Sequence, residues 1–461
     1  MAIISGYFSG ETYGLLGPQM AATLIEACTP YECIVIAVAR EDDKALLKDA
    51  LYAYFGKERP LIGFSYLSGR EDLFNFAKEL TGEGCITILA GPQADVDFSG
   101  EIDCKDFPHR FQGLSGHFAC ALQGPVEQCF PMLAAMDVDP QGEVSGLLYL
   151  GAGGAVVQNA RQPWNERYLG SVRWDNIYRP DRSRLIPHSI RSAQVLQQIG
   201  CPYAANQKQV EIDYPAFLHK PAGSTVRVLL KGCGFCDIAV DKGFRGTIGM
   251  DAVLGQIHSL PAGADGRKIP FELINENPLP GLLPLLHATA KRRISLARIN
   301  LIMRADWFLK GLQHLRKALQ WARDHKVQIV LASVGFESFD DTILRNLNKG
   351  LTVKTILQAV TLMRRLKDEF PDEWGYTRAD GANHGFIHPT PWDSETTSQN
   401  IREIIRRHHL APDILPDHST PLIIQHASGL ADWIRTVEQR EGHQFKRYGS
   451  IIGWWPEVQE S

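Results

Sequence analysis

Short apolar runs alternate with helix-forming segments through the first hundred residues, and this alternation limits the possible folds more than any other feature. Ile3 to Phe8, Ile34 to Val38, Leu61 to Ser65 and Ile86 to Ala90 read as strands. Helical segments lie between them at about Gln19 to Ala27, Glu41 to Phe55 and Glu71 to Leu80. Continuous apolar strands separated by helices need cover on both faces, which a parallel sheet with crossover helices supplies. The prediction is a doubly wound α/β domain, which binds ligands beyond the carboxyl ends of its strands.

A second alternation starts at Val226. Its expected strands are Val226 to Leu230, Phe271 to Asn275, Leu296 to Met303, Val327 to Val334, His384 to His388 and Leu422 to Gln425. Leu312, Leu315, Leu319 and Ala322 recur at helical spacing, as do Val353, Ile356, Val360 and Met363. Six strands with helices between them fit a partial (β/α)6 barrel of TIM type, with its chemistry on the loops at the strand carboxyl ends. Between the two alternations, Leu147 to Asn159 holds a Gly-rich turn flanked by two strand-like runs. It reads as a β-hairpin and not a nucleotide loop, because no helix follows the glycines. Prolines 163, 180, 187, 202 and 215 punctuate a connector. The expected organisation is an α/β domain at 1–143, a connector at 144–222, a barrel at 223–430 and a tail at 431–461. The tail carries Trp433, Trp454 and Trp455 and reads as a helix with an aromatic plug.

The 461 residues carry 48 basic and 52 acidic side chains, a net charge of −4. No basic field exists to hold a polyanion, so nucleic acid is not an expected partner. No apolar run approaches the roughly 18 residues of a membrane span. The start, MAIISGYFSGETYG, lacks the basic and apolar regions of a signal peptide. A cytoplasmic protein with reduced cysteines is expected. Its nine cysteines are scattered, which argues against a disulfide framework and leaves metal ligation open.

The sharpest motif is KGCGFCDIAVDKGFRG, Lys231 to Gly246, with Cys233 and Cys236 in a CxxC after an expected strand. Two thiolates so spaced can ligate one zinc or iron–sulfur centre. Two buried free cysteines are the plainer reading. A redox dithiol would open a helix in a thioredoxin-like unit, and none surrounds it.

With Phe235 before its last cysteine, this segment resembles the end of the CxxxCxΦC loop of radical SAM enzymes. The resemblance implies a [4Fe–4S] cluster on three cysteines. It also implies that the fourth iron chelates S-adenosylmethionine (SAM), which is cleaved reductively to a 5′-deoxyadenosyl radical. LINENP, Leu273 to Pro278, is similar to the second strand end, where the family contacts the SAM amino group. NLIMRAD, Asn300 to Asp306, looks like the third strand. SVGFESFDDTILRNLNKG, Ser333 to Gly350, resembles the stretch after the fourth, and Gly385 to Thr397 the fifth-strand segment. The implied roles are Glu276 for the ammonium, Glu337 and Ser333 for ribose or ammonium, and Arg304 as a fork for the carboxylate. Phe235, Asn275 and Ser338 complete the implied SAM site. Singly, a Glu or Arg on a barrel loop is usually solvated or salt-bridged. The usual first cysteine would stand four residues before Cys233, where this chain has Leu229. Cys201, in IGCPYAANQ, is the candidate third cluster ligand. A connector cysteine packed under the barrel is the equal alternative.

The first domain resembles the cobalamin-binding domain of the cobalamin-dependent subclass. GFSYLSG (Gly63 to Gly69), LAGPQA (Leu89 to Ala94) and QGP (Gln123 to Pro125) are similar to its turns. The implied corrin contacts are Ser65, Tyr66, Leu67, Gly91, Pro92, Gln93 and Gly124. Tyr13 and Gly14, in GETYGLLG, would face the lower corrin side. The His-bearing DxHxxG motif is absent, and no histidine precedes His109. A Rossmann-like domain with no ligand is the alternative.

The expected function is that of a cobalamin-dependent radical SAM enzyme that methylates an unactivated carbon of a small molecule, with flavodoxin or ferredoxin as reductant. A cobalamin-assisted rearrangement and a non-catalytic corrinoid- or metal-binding protein are the alternatives. His384 and His388 share a strand face and are expected to line a pocket or form hydrogen bonds. His408 and His409 close a solvated helix. Cys28, Cys33, Cys85, Cys104, Cys120 and Cys129 lack ligand spacing.

Overall fold

The computed structural model describes residues 1–56, 59–66, 69–91, 94, 98, 100, 117–134, 144–236, 243–414, 416, 419–448 and 451–453. They form a mixed α/β protein with parallel sheets. Chain contacts divide it into two compact units. The first comprises Met1–Gln194, Asp251–Pro261 and Arg447–Ile451. The second comprises Val195–Met250, Ala262–Lys446 and the chain from Ile452.

In the first unit, β1 (Ala2–Tyr7), β2 (Ile34–Ala39), β3 (Leu61–Ser65) and β4 (Ile86–Ala90) alternate with α1 (Leu16–Cys28), α2 (Lys44–Phe55) and α3 (Glu71–Gly82). Every residue of β2 is buried, as a strand covered on both faces requires. Asp43 starts α2 by accepting from the amides of Ala45 and Leu46 at 2.8 and 3.2 Å. The sheet continues through β5 (Cys120–Leu122), β6 (Leu147–Leu150), β7 (Val156–Gln158), β8 (Ile177–Asp181) and β9 (Arg184–Pro187). Its order is β7-β6-β5-β4-β3-β1-β2-β8-β9. From β5 to β8 every pairing is parallel, and antiparallel hairpins close both edges. One of those hairpins, β6–β7, turns through Gly151 and Gly154. The strand order reverses between β1 and β3, where sheets of this kind leave a crevice at their carboxyl ends. Ile4, Ile36, Val38, Phe64, Leu73 and Phe76 lie in the core.

The second unit has a six-stranded sheet. Its order is β10 (Ala193–Leu196), β15 (Phe271–Ile274), β16 (Arg298–Met303), β17 (Gln328–Glu337) and β18 (Trp374–Gly375), with β19 (Gly385–Phe386) also on β17. Strands β15 to β19 pair in parallel. Two expected strands lie outside this sheet. Val226–Leu230 falls within β13 (Thr225–Lys231), which forms a two-stranded antiparallel ribbon with β12 (Gln207–Asp213). Ile423–Gln425 belongs to another two-stranded sheet. The burial of β13 explains its place. Val226, Val228 and Leu230 are buried while Arg227, Leu229 and Lys231 are exposed, so only one face is covered. That face joins a core with Ile212, Leu347, Trp392, Leu430 and Trp433. Between β10 and the ribbon, β11 (Gln198–Gly200) pairs antiparallel with β14 (Phe244–Thr247). The strand beside β15 is therefore β10, which ends five residues before Cys201 (201 − 196).

Candidate active site

The site in the second unit is organised by four residues that follow the helix Asp341–Asn346, namely Leu347 to Gly350. The Leu347 carbonyl accepts from the Gly234 amide at 2.8 Å, and the Asn348 side chain donates to the Gly232 carbonyl at 2.6 Å. Both bonds hold the CxxC loop. The Asn348 carbonyl accepts from the Tyr203 hydroxyl at 2.9 Å, which holds the segment beginning at Cys201. The Lys349 carbonyl accepts from Arg304 Nη2 at 2.7 Å, and Lys349 Nζ donates to Glu337 Oε1 at 2.7 Å. Gly350 has φ +65, and a Cβ there would stand 2.5 Å from the Tyr203 oxygen, so glycine is required on both counts.

These bonds bring Cys201 and Cys233 into one neighbourhood. A Cβ on Gly232 would meet Ala204 at 3.1 Å. Burial pushes the Cys201 thiol up to about 11, with Glu276 and then Cys233 adding to the rise. Cys201 extends the β11–β14 pairing, its amide donating to the Gly243 carbonyl at 2.9 Å, and it opens the turn Pro202–Ala204. Cys236 closes a turn on the Cys233 carbonyl at 3.2 Å. All three cysteines are partly buried and unbridged. Among the described residues, no three His, Cys, Asp or Glu side chains converge on a single-ion position. A cubane cluster takes its thiolates at separate iron corners, so three soft sulfur donors at the end of β11 and in the CxxC loop suit that group.

Arg304, at the carboxyl end of β16, is 5% exposed. Its Nε pairs with Asp306 at 3.1 Å, its Nη1 donates to Cys233 Sγ at 3.8 Å, and its guanidinium lies 3.9 Å over the Tyr203 ring. Each nitrogen of the expected carboxylate fork thus has a protein partner. Glu337 ends β17 with φ 63, and Ile387 donates to its carbonyl at 2.8 Å. Its buried carboxylate is covered by Lys349. Burial works against the Lys349 ammonium, but Glu337 and Cys233 more than offset it and hold the lysine above its ordinary pKa. Glu276 follows β15, and its amide donates to Gln198 Oε1 at 3.1 Å. Burial raises its carboxyl above the usual range, opposed by Lys349 and Arg304. Asn275 is buried, with its side chain donating to Gln197 Oε1 at 2.8 Å. Phe235 has Lys349 Nζ 5.8 Å from its ring centre. Ser338 is buried and accepts from the Asp340 amide at 3.2 Å, and Ser333 is half-buried on β17.

Sequence reasoning missed Lys349, Asn348, Tyr203, Gln197 and Gln198. LNKG and GCPY were both visible as motifs, but neither motif says which residue the other touches. His384 is a hydrogen-bonded core histidine: Nδ1 accepts from the Val334 amide at 3.2 Å, and Nε2 lies 2.7 Å from the Tyr376 carbonyl.

In the first unit, several expected corrin contacts gather at strand carboxyl ends. Ser65 ends β3, Gly91 follows β4 with φ +91, and a Cβ on Gly91 would stand 2.8 Å from Ser65 Oγ. Gly124 follows β5 with φ +90. Tyr66 is buried against Phe74, with ring centres 5.0 Å apart. The Tyr7 hydroxyl, at the end of β1, donates to the Tyr13 carbonyl at 2.6 Å and lies 3.2 Å from His188 Nε2. Gly14 packs so tightly on Trp174 that a Cβ would stand 2.6 Å from its ring. Leu67, Pro92, Gln93 and Cys104 lie outside the described residues. Ser65 and Gly91 are small residues in close approach at the ends of β3 and β4, which suits a flat macrocycle near the backbone there.

The comparisons agree with this architecture. No family model matches the chain. No curated protein is detectably similar in sequence. Among solved structures, the fold is similar to that of an enzyme described as cobalamin-dependent and S-adenosylmethionine radical. The cobalamin-dependent S-adenosylmethionine radical enzyme OxsB, with aqua-cobalamin and S-adenosylmethionine bound, superposes with a TM-score of 0.59 at 13% identity, over 99% of this chain and 64% of that one. OxsB with aqua-cobalamin alone gives 0.57 at 13% over 98% and 64%, and its apo, selenomethionine-labelled form 0.58 at 12% over 99% and 64%. The chain thus spans a little under two thirds of the length of the structures it matches. Among the described residues, no helix is long and apolar enough to cross a membrane.

Proposed function

We propose that this chain is a cobalamin-dependent radical SAM enzyme acting on a small molecule. The observation that carries the proposal is the meeting of the Cys201 segment and the CxxC loop on Leu347 to Gly350, in a fold shared with an enzyme of that class. In this reading the first unit is the Rossmann-like corrinoid domain and the second a partial (β/α)6 barrel. Cys201, Cys233 and Cys236 hold a [4Fe–4S] cluster.

When bound, the cluster, SAM and corrinoid supply one-electron cleavage of SAM and a transferable methyl group. The chain's own residues do the rest. Glu276 and Glu337 accept hydrogen bonds from the SAM ammonium or ribose, helped by Asn275, Ser333 and Ser338. Ser65, Gly91 and Gly124 give the corrin close access to the strand ends. Methyl transfer to an unactivated carbon, a flavodoxin or ferredoxin donor and a cytoplasmic setting complete the proposal.

Anaerobic reconstitution tests it. The expected result is about four irons per chain, bound corrinoid, and 5′-deoxyadenosine formed from SAM under dithionite. A colourless protein that holds zinc and leaves SAM intact would refute it. Cys201→Ala is expected to lower the iron content; an unchanged cluster spectrum removes Cys201 from the ligand set.

A further inference from the structure

Arg304 is held from every side by the protein. Nε pairs with Asp306 at 3.1 Å, Nη2 donates to the Lys349 carbonyl at 2.7 Å, and the guanidinium lies 3.9 Å over Tyr203 and 5.4 Å from the centre of the Trp307 ring. The remaining nitrogen, Nη1, points at Cys233 Sγ at 3.8 Å. A guanidinium keeps its charge at any pH a protein survives, and burial reduces the solvent screening of that charge. The position therefore combines a permanent cation, a hydrogen bond to sulfur and an orientation fixed independently of any ligand.

We propose that Arg304 is a positioning residue for the CxxC loop and that its charge at Cys233 raises the reduction potential of the cluster this cysteine holds. The inference rests on the reading above. It assigns Arg304 to the cluster and not to the SAM carboxylate. The physical basis is the charge difference between oxidation states. A cluster that takes one electron from an external reductant gains one negative charge, while the Cys233–iron bond stays intact. A nearby cation favours the more negative form, and hydrogen bonds to cluster sulfurs act in the same direction. Asp306 opposes the effect, because its carboxylate pairs with Nε at 3.1 Å and offsets part of the Arg304 charge.

The test is a mediated dithionite titration of reconstituted protein, followed by electron paramagnetic resonance without SAM, together with SAM affinity by calorimetry. Arg304→Gln is expected to move the midpoint to more negative potential and to change the SAM dissociation constant less than threefold. Arg304→Lys, which keeps the charge, is expected to stay nearer the wild type. Asp306→Asn is expected to shift the midpoint the opposite way, and it serves as the deciding variant if Arg304→Gln does not fold or load iron. An unchanged midpoint in Arg304→Gln with SAM binding weakened tenfold or more overturns the inference and returns Arg304 to the carboxylate. A midpoint that does not rise in Asp306→Asn also overturns it. Wild-type chain that takes up no iron refutes instead the reading on which the inference rests.

Discussion

The Tyr203 hydroxyl donates to the Asn348 carbonyl at 2.9 Å and so joins two segments 145 residues apart. The same ring supports the Arg304 guanidinium on its face. Tyr203→Phe removes only the hydroxyl bond and is expected to cost about 1 kcal/mol. Tyr203→Ala also removes the cation–π contact, which adds about 1–2 kcal/mol for a desolvated pair. Urea denaturation of both variants checks the order. Equal losses would mean that the ring contributes nothing.

Asn348 adopts φ 51 while its side chain donates to the Gly232 carbonyl. Asn348→Gly keeps the backbone relaxed and loses the bond, an expected cost of about 1–2 kcal/mol. Asn348→Ala loses the bond and adds left-handed strain of roughly 1–2 kcal/mol. Alanine is therefore expected to be the worse substitution, against its better intrinsic helix propensity. Thermal melts of the two proteins decide the matter.

Lys349 and Glu337 form a buried ion pair, with side chains 7% and 10% exposed. Removing one partner strands the other, so Lys349→Met and Glu337→Gln are each expected to destabilise by about 3–5 kcal/mol. The double variant is expected to lose clearly less than the sum, because neither charge is then left alone. A double-mutant cycle in urea that adds up without coupling would show that the pair is not a unit. Gly335→Ala tests the same pair sterically. A Cβ there would collide with the Glu337 carboxylate and come within 2.6 Å of Lys349 Nζ, for a cost of about 1–3 kcal/mol.

His388 Nδ1 lies 3.2 Å from Asp393 Oδ2, and this hydrogen bond raises the imidazole pKa above its ordinary value despite partial burial. A raised folded pKa fixes the sign of the linkage. The stabilisation is fully present below about 6.5, the unfolded histidine value, and is lost as pH rises through the folded pKa. Asp393→Asn is expected to lower the His388 titration midpoint seen by nuclear magnetic resonance and to flatten that part of the stability profile. An unchanged midpoint would remove the carboxylate as the cause.

Much of the secondary structure was legible because burial leaves a local pattern. Ile34–Ala39 is apolar throughout, Leu61–Ser65 is apolar up to its closing serine, and both lie inside the parallel sheet. Leu315, Leu319 and Ala322 recur at helical spacing and are buried on one face of their helix. The CxxC was legible for the same local reason, since its two thiols are three residues apart. Strand β10 was not. Its sequence, AQVL, is only four residues long with Gln194 interrupting the apolar run, and it lies among prolines that read as a connector. Val226–Leu230 looked like the better sheet strand because it is longer and richer in β-branched residues, yet its alternating burial belongs to a ribbon.

The sequence alone therefore determined the strands and helices of the two long alternations, and that two cysteines share one loop. It did not determine which strand lies beside β15, or that Cys201 returns to the neighbourhood of Cys233. Strand order rests on backbone hydrogen bonds, and every residue except proline offers the same donor and acceptor. The return of Cys201 rests on main-chain groups of Leu347, Asn348 and Lys349, whose partners are chosen only when the chain closes. Side-chain periodicity reports how each segment meets solvent, and tertiary structure alone reports which distant segment it meets.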